Sequence, residues 1–268
     1  MEGHEEMNLR TVTATRYVTP LREGGSLPAI VEADDDGTYV LKFRGAGQGA
    51  RALIAELLVG EMARALGLNV PEIVFMNLDP VLGRTEPDPE IQALIKASAG
   101  LNLALDYLPG SITFDPLVTR PIQDKSDLAS AIVWLDAYTS NVDRTARNTN
   151  LLVWHKELWL IDHGAALYFH HSWDNYLTRS RSDFPQIKDH VLLPFATGLR
   201  HADATLAPRL TAQLITAITA LIPDSWLGDV AQFADIEEHR AAYVAYLLSR
   251  LEAPRVFVEE SPQEAPHD

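Results

Sequence analysis

Residues 141–169, NVDRTARNTNLLVWHKELWLIDHGAALYF, place two short polar clusters on either side of an apolar run. Three of the side chains, Asp143, Asn148 and Asp162, carry the carboxylate and amide oxygens that a hard divalent cation prefers. Asp143 and Asn148 stand five positions apart in a segment of Asp, Arg, Thr and Asn with neither helical nor strand periodicity, which predicts a loop presenting several polar groups at once. Mg²⁺ usually takes only one or two carboxylates and leaves its other positions to water and nucleotide phosphates. Asp162 and Asn148 meet that demand. Asp143, in the same loop and not needed for the metal, is placed to orient an acceptor hydroxyl and take its proton. The chemistry this set would do is phosphoryl transfer. Each residue alone has a plainer reading, since Asp and Asn favour turns for their own reasons; the joint order and spacing point to a site.

The intervening runs must bring these groups together. Residues 151–154 and 158–161 are short, partly β-branched and aromatic, and His155, Lys156 and Glu157 between them predict a hairpin. Its closure would bring the Asp143 loop beside Asp162-His163-Gly164, although nineteen positions separate the two aspartates. A helix over 128–138, with Ile132, Val133, Leu135 and Ala137, delivers the chain to that loop.

Upstream, residues 10–20 and 29–33 read as strands joined by a loop containing Gly24, Gly25 and Ser26. Asp34-Asp35-Asp36-Gly37 predicts a tight turn feeding a third strand, 38–43, with Lys42 inside its apolar run. Lys42 either snorkels at a sheet edge or reaches across the sheet to nucleotide phosphates. Residues 50–66 suit a helix ended by Gly67, and Glu56 among its apolar neighbours requires a partner, with Lys42 the natural one and Glu61 a substitute for Glu56. Gly45-Ala46-Gly47-Gln48-Gly49 follows a strand and opens a helix, as a dinucleotide site would. The acid expected about twenty residues on falls within that helix and the following turn, so this reading is weak.

A further strand is expected over 72–78, a loop over 80–89 and a short helix over 91–99. The segment 105–110, with Asp106 and Leu108, is either a connection between lobes whose backbone meets an adenine edge, or an ordinary strand running into a turn. Residues 168–194 show no clear periodicity and suit a surface segment shaped for an acceptor; their histidines lack a zinc spacing. Helices are expected over 206–221, with Pro208 in the first turn, and over 236–251, followed by an acidic, proline-bearing tail expected to be disordered.

The 268 residues, 47% hydrophobic, suffice for a real core in one domain or a two-lobed unit. With 37 acidic against 22 basic residues the formal charge is −15, which disfavours binding to nucleic acid or to anionic membranes. No cysteine, no signal-like start and no membrane-length apolar run occur, and a cytoplasmic protein is the expectation.

The ordered set Gly24-Gly25-Ser26, Lys42, Glu56, Asp143, Asn148 and Asp162 resembles a protein kinase-like fold and, more narrowly, the HipA-like kinase family. The likeness is carried by YVLKFRGAGQGARALIAE, ALGLNVPE, DYLPGSITF, NVDRTARNTNLL and IDHG, and spans about residues 15–170. It implies an α+β, two-lobed fold: a flexible start over 1–9, a small β-rich lobe with one main helix over 10–108, a larger, mostly helical lobe over 109–256, and the tail over 257–268. It implies ATP and Mg²⁺ as cofactors, with Gly24, Gly25 and Ser26 covering the nucleotide. Lys42 would bind its α- and β-phosphates and pair with Glu56, Asp143 would be the base, and Asn148 and Asp162 would hold the metal.

In the toxin kinases of the family a serine of the glycine loop is autophosphorylated, and Ser26 sits in the corresponding stretch. The sequence has no room before residue 10 for the N-terminal subdomain of those toxins, which argues against a toxin–antitoxin role. Asn141-Val142 precedes Asp143 in place of His-Arg, and Thr145 stands where related sequences often have His, so this loop does not name the acceptor. His163 replaces the usual phenylalanine and is expected to pack. Arg144 and Arg147 add charge or brace the loop. The leading reading is a Ser/Thr protein kinase, with itself among the acceptors. The alternatives are a small-molecule kinase on the same fold and a nucleotide-binding scaffold with little turnover.

Overall fold

The computed structural model describes residues 7–21, 27–118, 122, 125–228 and 230–259. Gly24, Gly25, Ser26 and most of the acidic tail lie outside the described residues.

The chain begins with β1 (Thr11–Pro20), β2 (Ala29–Ala33) and β3 (Thr38–Lys42), joined in antiparallel order. The aspartate turn forms as expected, with Asp36 at φ 62° and the Ala33 N–H donating to the Gly37 carbonyl at 3.0 Å. Then come α1 (Ala50–Ala65), β4 (Ile73–Leu78), α2 (Pro89–Ala97) and β5 (Gly100–Asp106). Among the described residues the five strands close a barrel in the order β1-β2-β3-β5-β4, sealed by a parallel pairing of β1 with β4. Alternation sorts the side chains. Val74, Met76, Ala104 and Leu41 fill the barrel, while Ile73, Phe75, Leu103 and Leu105 join the core that contains α1. Lys42, next to inward-facing Leu41, is thereby excluded from the barrel interior.

α1 is buried along most of its length and ends as predicted: the N–H of Gly67 (φ 85°) donates to the Arg64 carbonyl, and that of Leu68 to the Ala63 carbonyl. The expected loop over 80–89 instead contains a 3-10 turn, Pro80–Thr85, because the Asp79 side chain accepts from Val81 N and Pro80 suits a first-turn position.

β6 (Ile112–Thr113), α3 (Ser126–Thr139), β7 (Leu151–Trp154) and β8 (Glu157–Leu160) follow, with β6-β7-β8 forming a second sheet. The hairpin turn is one residue shorter than expected: Trp154 pairs with Glu157, and His155 and Lys156 take φ of 49° and 68°.

The remainder is mainly helical: α4 (Tyr176–Arg179), α5 (Leu199–Leu206), α6 (Ala212–Ala220), α7 (Ile236–Leu251) and α8 (Val256–Glu259). The helix expected over 206–221 is divided. Pro208 sits in a 3-10 turn, Ala207–Arg209, and α6 restarts where Thr211 accepts from Leu214 N. The segment 168–194 is less of a surface loop than expected. Phe169, His170, Trp173, Phe184, Ile187, His190 and Leu192 are buried, and Phe169 stacks on Tyr246 of α7 with ring centroids 3.5 Å apart. Its aromatic residues, spaced without period, pack by 3-10 turns rather than by a helical face. No described helix is long and apolar enough to cross a membrane.

Candidate active site

Lys42 Nζ lies 2.6 Å from Asp162 Oδ1 and 3.5 Å from Glu56 Oε2. The two flanking side chains differ in environment: that of Glu56 is only 2% exposed, while that of Asp162 is 38% exposed and lines the main cavity. Burial opposes the charge on Lys42, but Glu56 and Asp162 outweigh it and hold the ammonium pKa above its ordinary value. Burial likewise opposes ionised Glu56, yet Lys42 and His163 keep its carboxyl below the usual range. Glu61, the substitute for Glu56, lies instead 3.4 Å from Arg64.

His163 does more than pack. Its backbone N–H donates to Glu56 Oε2 at 2.8 Å, and its ring Nδ1 lies 3.4 Å from Glu56 Oε1. The residue after Asp162 therefore fixes the acid that holds Lys42. Asp162 has φ 56°, in the left-handed region that costs a non-glycine residue roughly 1 kcal/mol, and such strain gathers at functional sites.

The Asp143 loop is tied internally. Asn148 Nδ2 donates to Asp143 Oδ2 at 2.8 Å, and Asn150 Nδ2 reaches both the carbonyl and Oδ2 of Asp143 at 3.3 Å. Asn150, in the left-handed region at φ 47°, was not singled out in the sequence; it is one more Asn in a run of loop residues. Asp136 of α3 was also missed. An acid between Leu135 and Ala137 on a buried helix needs a partner as much as Glu56 does, and that signal could have found it.

A cavity of about 1090 Å³ is lined by Lys42, Asn148 and Asp162, and also by Val40, Leu105, Asp106, Tyr107 and Leu108. Asp143 is not part of this lining; Asn148 and Asn150, which bind it, are. Along the connecting segment the Asp106 and Tyr107 N–H groups are committed to the Glu72 and Thr38 carbonyls. The Leu108 N–H has no hydrogen-bond partner among the described residues. Lys42, Asp106, Leu108, Asn148 and Asp162 thus surround one space, with Glu56 buried behind Lys42 and Asp143 bonded to the wall.

The family model described as HipA-like kinase matches residues 15–259. The chain belongs to the HipA-like kinase family. The match extends well beyond the 15–170 stretch that carried the resemblance, through α7 into α8. This HipA-like kinase shares its fold with the Helicobacter pylori proinflammatory kinase CtkA, at TM-score 0.54 and 13% identity over 95% of this chain and 98% of that one. It is similar too to the Golgi casein kinase solved with Mn/ADP bound, at TM-score 0.50 and 13% identity over 94% and 74% of the two chains. HipA of Shewanella oneidensis MR-1, in complex with HipB and operator DNA, gives TM-score 0.43 and 16% identity over 97% and 69%. No curated protein matches the sequence. The fold is two-lobed and protein kinase-like, and family and fold make this HipA-like kinase a kinase-like phosphotransferase.

Proposed function

We propose that the chain is an ATP- and Mg²⁺-dependent Ser/Thr protein kinase whose β-rich lobe spans residues 10–108 and whose helical lobe spans 109–256. The observation that carries this reading is the single cavity at which Lys42, anchored by buried Glu56, meets Asp162 and the Asn148 amide that is bonded to Asp143. The donor set fits a hard divalent cation. Asp162 Oδ2 and Asn148 Oδ1 have no hydrogen-bond partner among the described residues, and one carboxylate plus one amide oxygen leaves room for phosphates and water. When bound, Mg²⁺ offsets the charge of the transferring phosphates.

The chain's own residues supply positioning. Lys42 binds the α- and β-phosphates, held at its height by Glu56 and His163. Leu105, Leu108 and Val40 wall the base, and the Leu108 N–H donates to its edge. Asp143, oriented by Asn148 and Asn150, accepts the proton of the acceptor hydroxyl as that oxygen bonds to the γ-phosphorus. The bond from the γ-phosphorus to the β–γ bridging oxygen breaks, and ADP leaves.

A small-molecule acceptor is the second reading, favoured by the cavity volume, which exceeds the roughly 300–1,000 Å³ typical of single-ligand sites and leaves room for an acceptor beside the nucleotide. The test is ATP turnover with Mg²⁺ or with chelator, in the presence of either a protein and peptide panel or a metabolite panel. Mg²⁺-dependent phosphate on Ser or Thr supports the first reading, and turnover with metabolites alone supports the second. ATP binding without transfer to either would leave a nucleotide-binding scaffold.

A further inference from the structure

Arg144 follows Asp143 directly, yet its side chain is fully buried against Asp136, with His190 on the same carboxylate. Arg144 Nε donates to Asp136 Oδ2 at 2.6 Å. The guanidinium Nη1 donates to the Asn150 carbonyl and lies 3.4 Å from the carbonyl of Ile161, the residue before Asp162. Asp136 Oδ1 accepts from Asn141 Nδ2 at 2.9 Å, so one carboxylate holds residues on both sides of Asp143. Burial opposes the charge on Asp136, but Arg144 and His190 keep its carboxyl below the usual range.

His190 brings in a third segment. Its Nδ1 accepts the Leu192 N–H at 3.0 Å, so the ring proton sits on Nε2, which donates to Asp136 Oδ2 at 2.9 Å. The backbones are joined as well: Val191 N donates to the Arg144 carbonyl at 3.0 Å, and Thr145 and His190 form a β-bridge. Charged groups buried in this way are often no more stabilising than apolar residues of the same volume. Stability alone therefore does not account for a guanidinium that reaches α3 and the backbone before β7 and after β8.

We propose that Arg144, Asp136 and His190 are positioning residues: they fix Asp143 relative to Asp162 and lock the 185–195 segment to the Asp143 loop. The catalytic part of this proposal rests on the roles given above to Asp143 and Asp162; the mechanical part does not.

The test measures native-state amide exchange and steady-state kinetics in Arg144→Lys, His190→Leu and His190→Gln of the full chain. The probes are Ile161 N, bonded to the Asn150 carbonyl, and Val191 N, with Leu41 in the barrel as reference. Arg144→Lys keeps the charge and loses the planar fork. It should speed exchange of Ile161 and Val191 about tenfold or more while leaving Leu41 unchanged. It should also lower kcat at least about tenfold, with KM for ATP within about threefold of wild type. His190→Gln, which keeps an N–H donor, should retain the Val191 protection that His190→Leu loses. Unchanged exchange at Ile161 and Val191 in Arg144→Lys and His190→Leu overturns the proposal, as does equal acceleration at all three probes or an unchanged kcat despite faster exchange. If the wild type transfers no phosphate, the functional reading fails, and the two amides still decide whether the three residues lock the loops.

Discussion

Lys42 Nζ and Asp162 Oδ1 are 2.6 Å apart although 120 positions separate them in sequence. The contact joins the last residue of a barrel strand to the second residue after the hairpin, and Glu56 stands behind it as a buried anion. Removing the lysine would leave that anion without its cation. Lys42→Met should lower stability by about 3 kcal/mol and weaken nucleotide binding. Adding Glu56→Gln should recover much of the stability and none of the binding, as read by urea unfolding and ATP titration. Independent, additive effects of the two substitutions would contradict the pairing.

Acid should expose the same buried charges. Glu56 and Asp136 both have carboxyls held below the usual range, by Lys42 with His163 and by Arg144 with His190 respectively, against the opposing effect of burial. Their contribution is therefore present above the ordinary carboxylate pKa and is lost as pH falls below about 4.5. Asp136→Asn should cost about 3 kcal/mol at pH 7 and show a shallower decline below pH 4.5 than the wild type. Parallel declines in denaturant series at pH 7, 4 and 3 would refute the assignment.

A different acid response comes from His239, which stacks on Phe233 at 4.6 Å and meets Trp173 edge-on at 5.1 Å. Burial first, then Arg51 and Arg240, lowers its pKa from 6.5 to about 4. The imidazole folds neutral, so its contribution is full above pH 6.5 and is lost as pH falls toward 4. His239→Phe should gain stability over wild type at pH 5 compared with pH 7.5. An advantage equal at both pH values would show that the ring takes up its proton equally in the folded and unfolded states, so that burial does not hold it neutral.

Asn150 combines a left-handed backbone with two side-chain bonds to Asp143. Glycine tolerates the backbone and removes the bonds. Asn150→Gly should stay within about 1 kcal/mol of wild type in stability while phosphate transfer falls about tenfold or more. A wild-type rate in this variant would remove Asn150 from the orientation of Asp143.

Much of this arrangement was legible in the sequence because it rests on local pattern. The apolar run put Lys42 within a strand, Gly67 ended α1, and the run from Asp143 through the hairpin to Asp162 prescribed its own closure. What was missed depends on tertiary partners. Arg144 was expected to add charge or brace the loop, and it braces it, but its partners were not legible: Asp136 and His190 meet across 54 positions, and nothing local to His190 distinguishes it from His170 or His171. His163 was expected to pack, yet its bond to Glu56 arises from an N–H that no side-chain pattern reports. Segment 168–194 lacked a period because its aromatic residues pack through 3-10 turns, and the helix over 206–221 divided where Pro208 and the Thr211 cap outweigh apolar spacing.

The most direct test incubates the purified chain and its Asp143→Asn variant with Mg²⁺ and γ-labelled ATP, with and without an acceptor panel, followed by intact mass and peptide mapping. The base role of Asp143 predicts label on a hydroxyl with the wild type and none with Asp143→Asn, while both bind ATP with similar affinity. Equal transfer by the two proteins, or ATP binding by the wild type with no transfer to any acceptor, would contradict it.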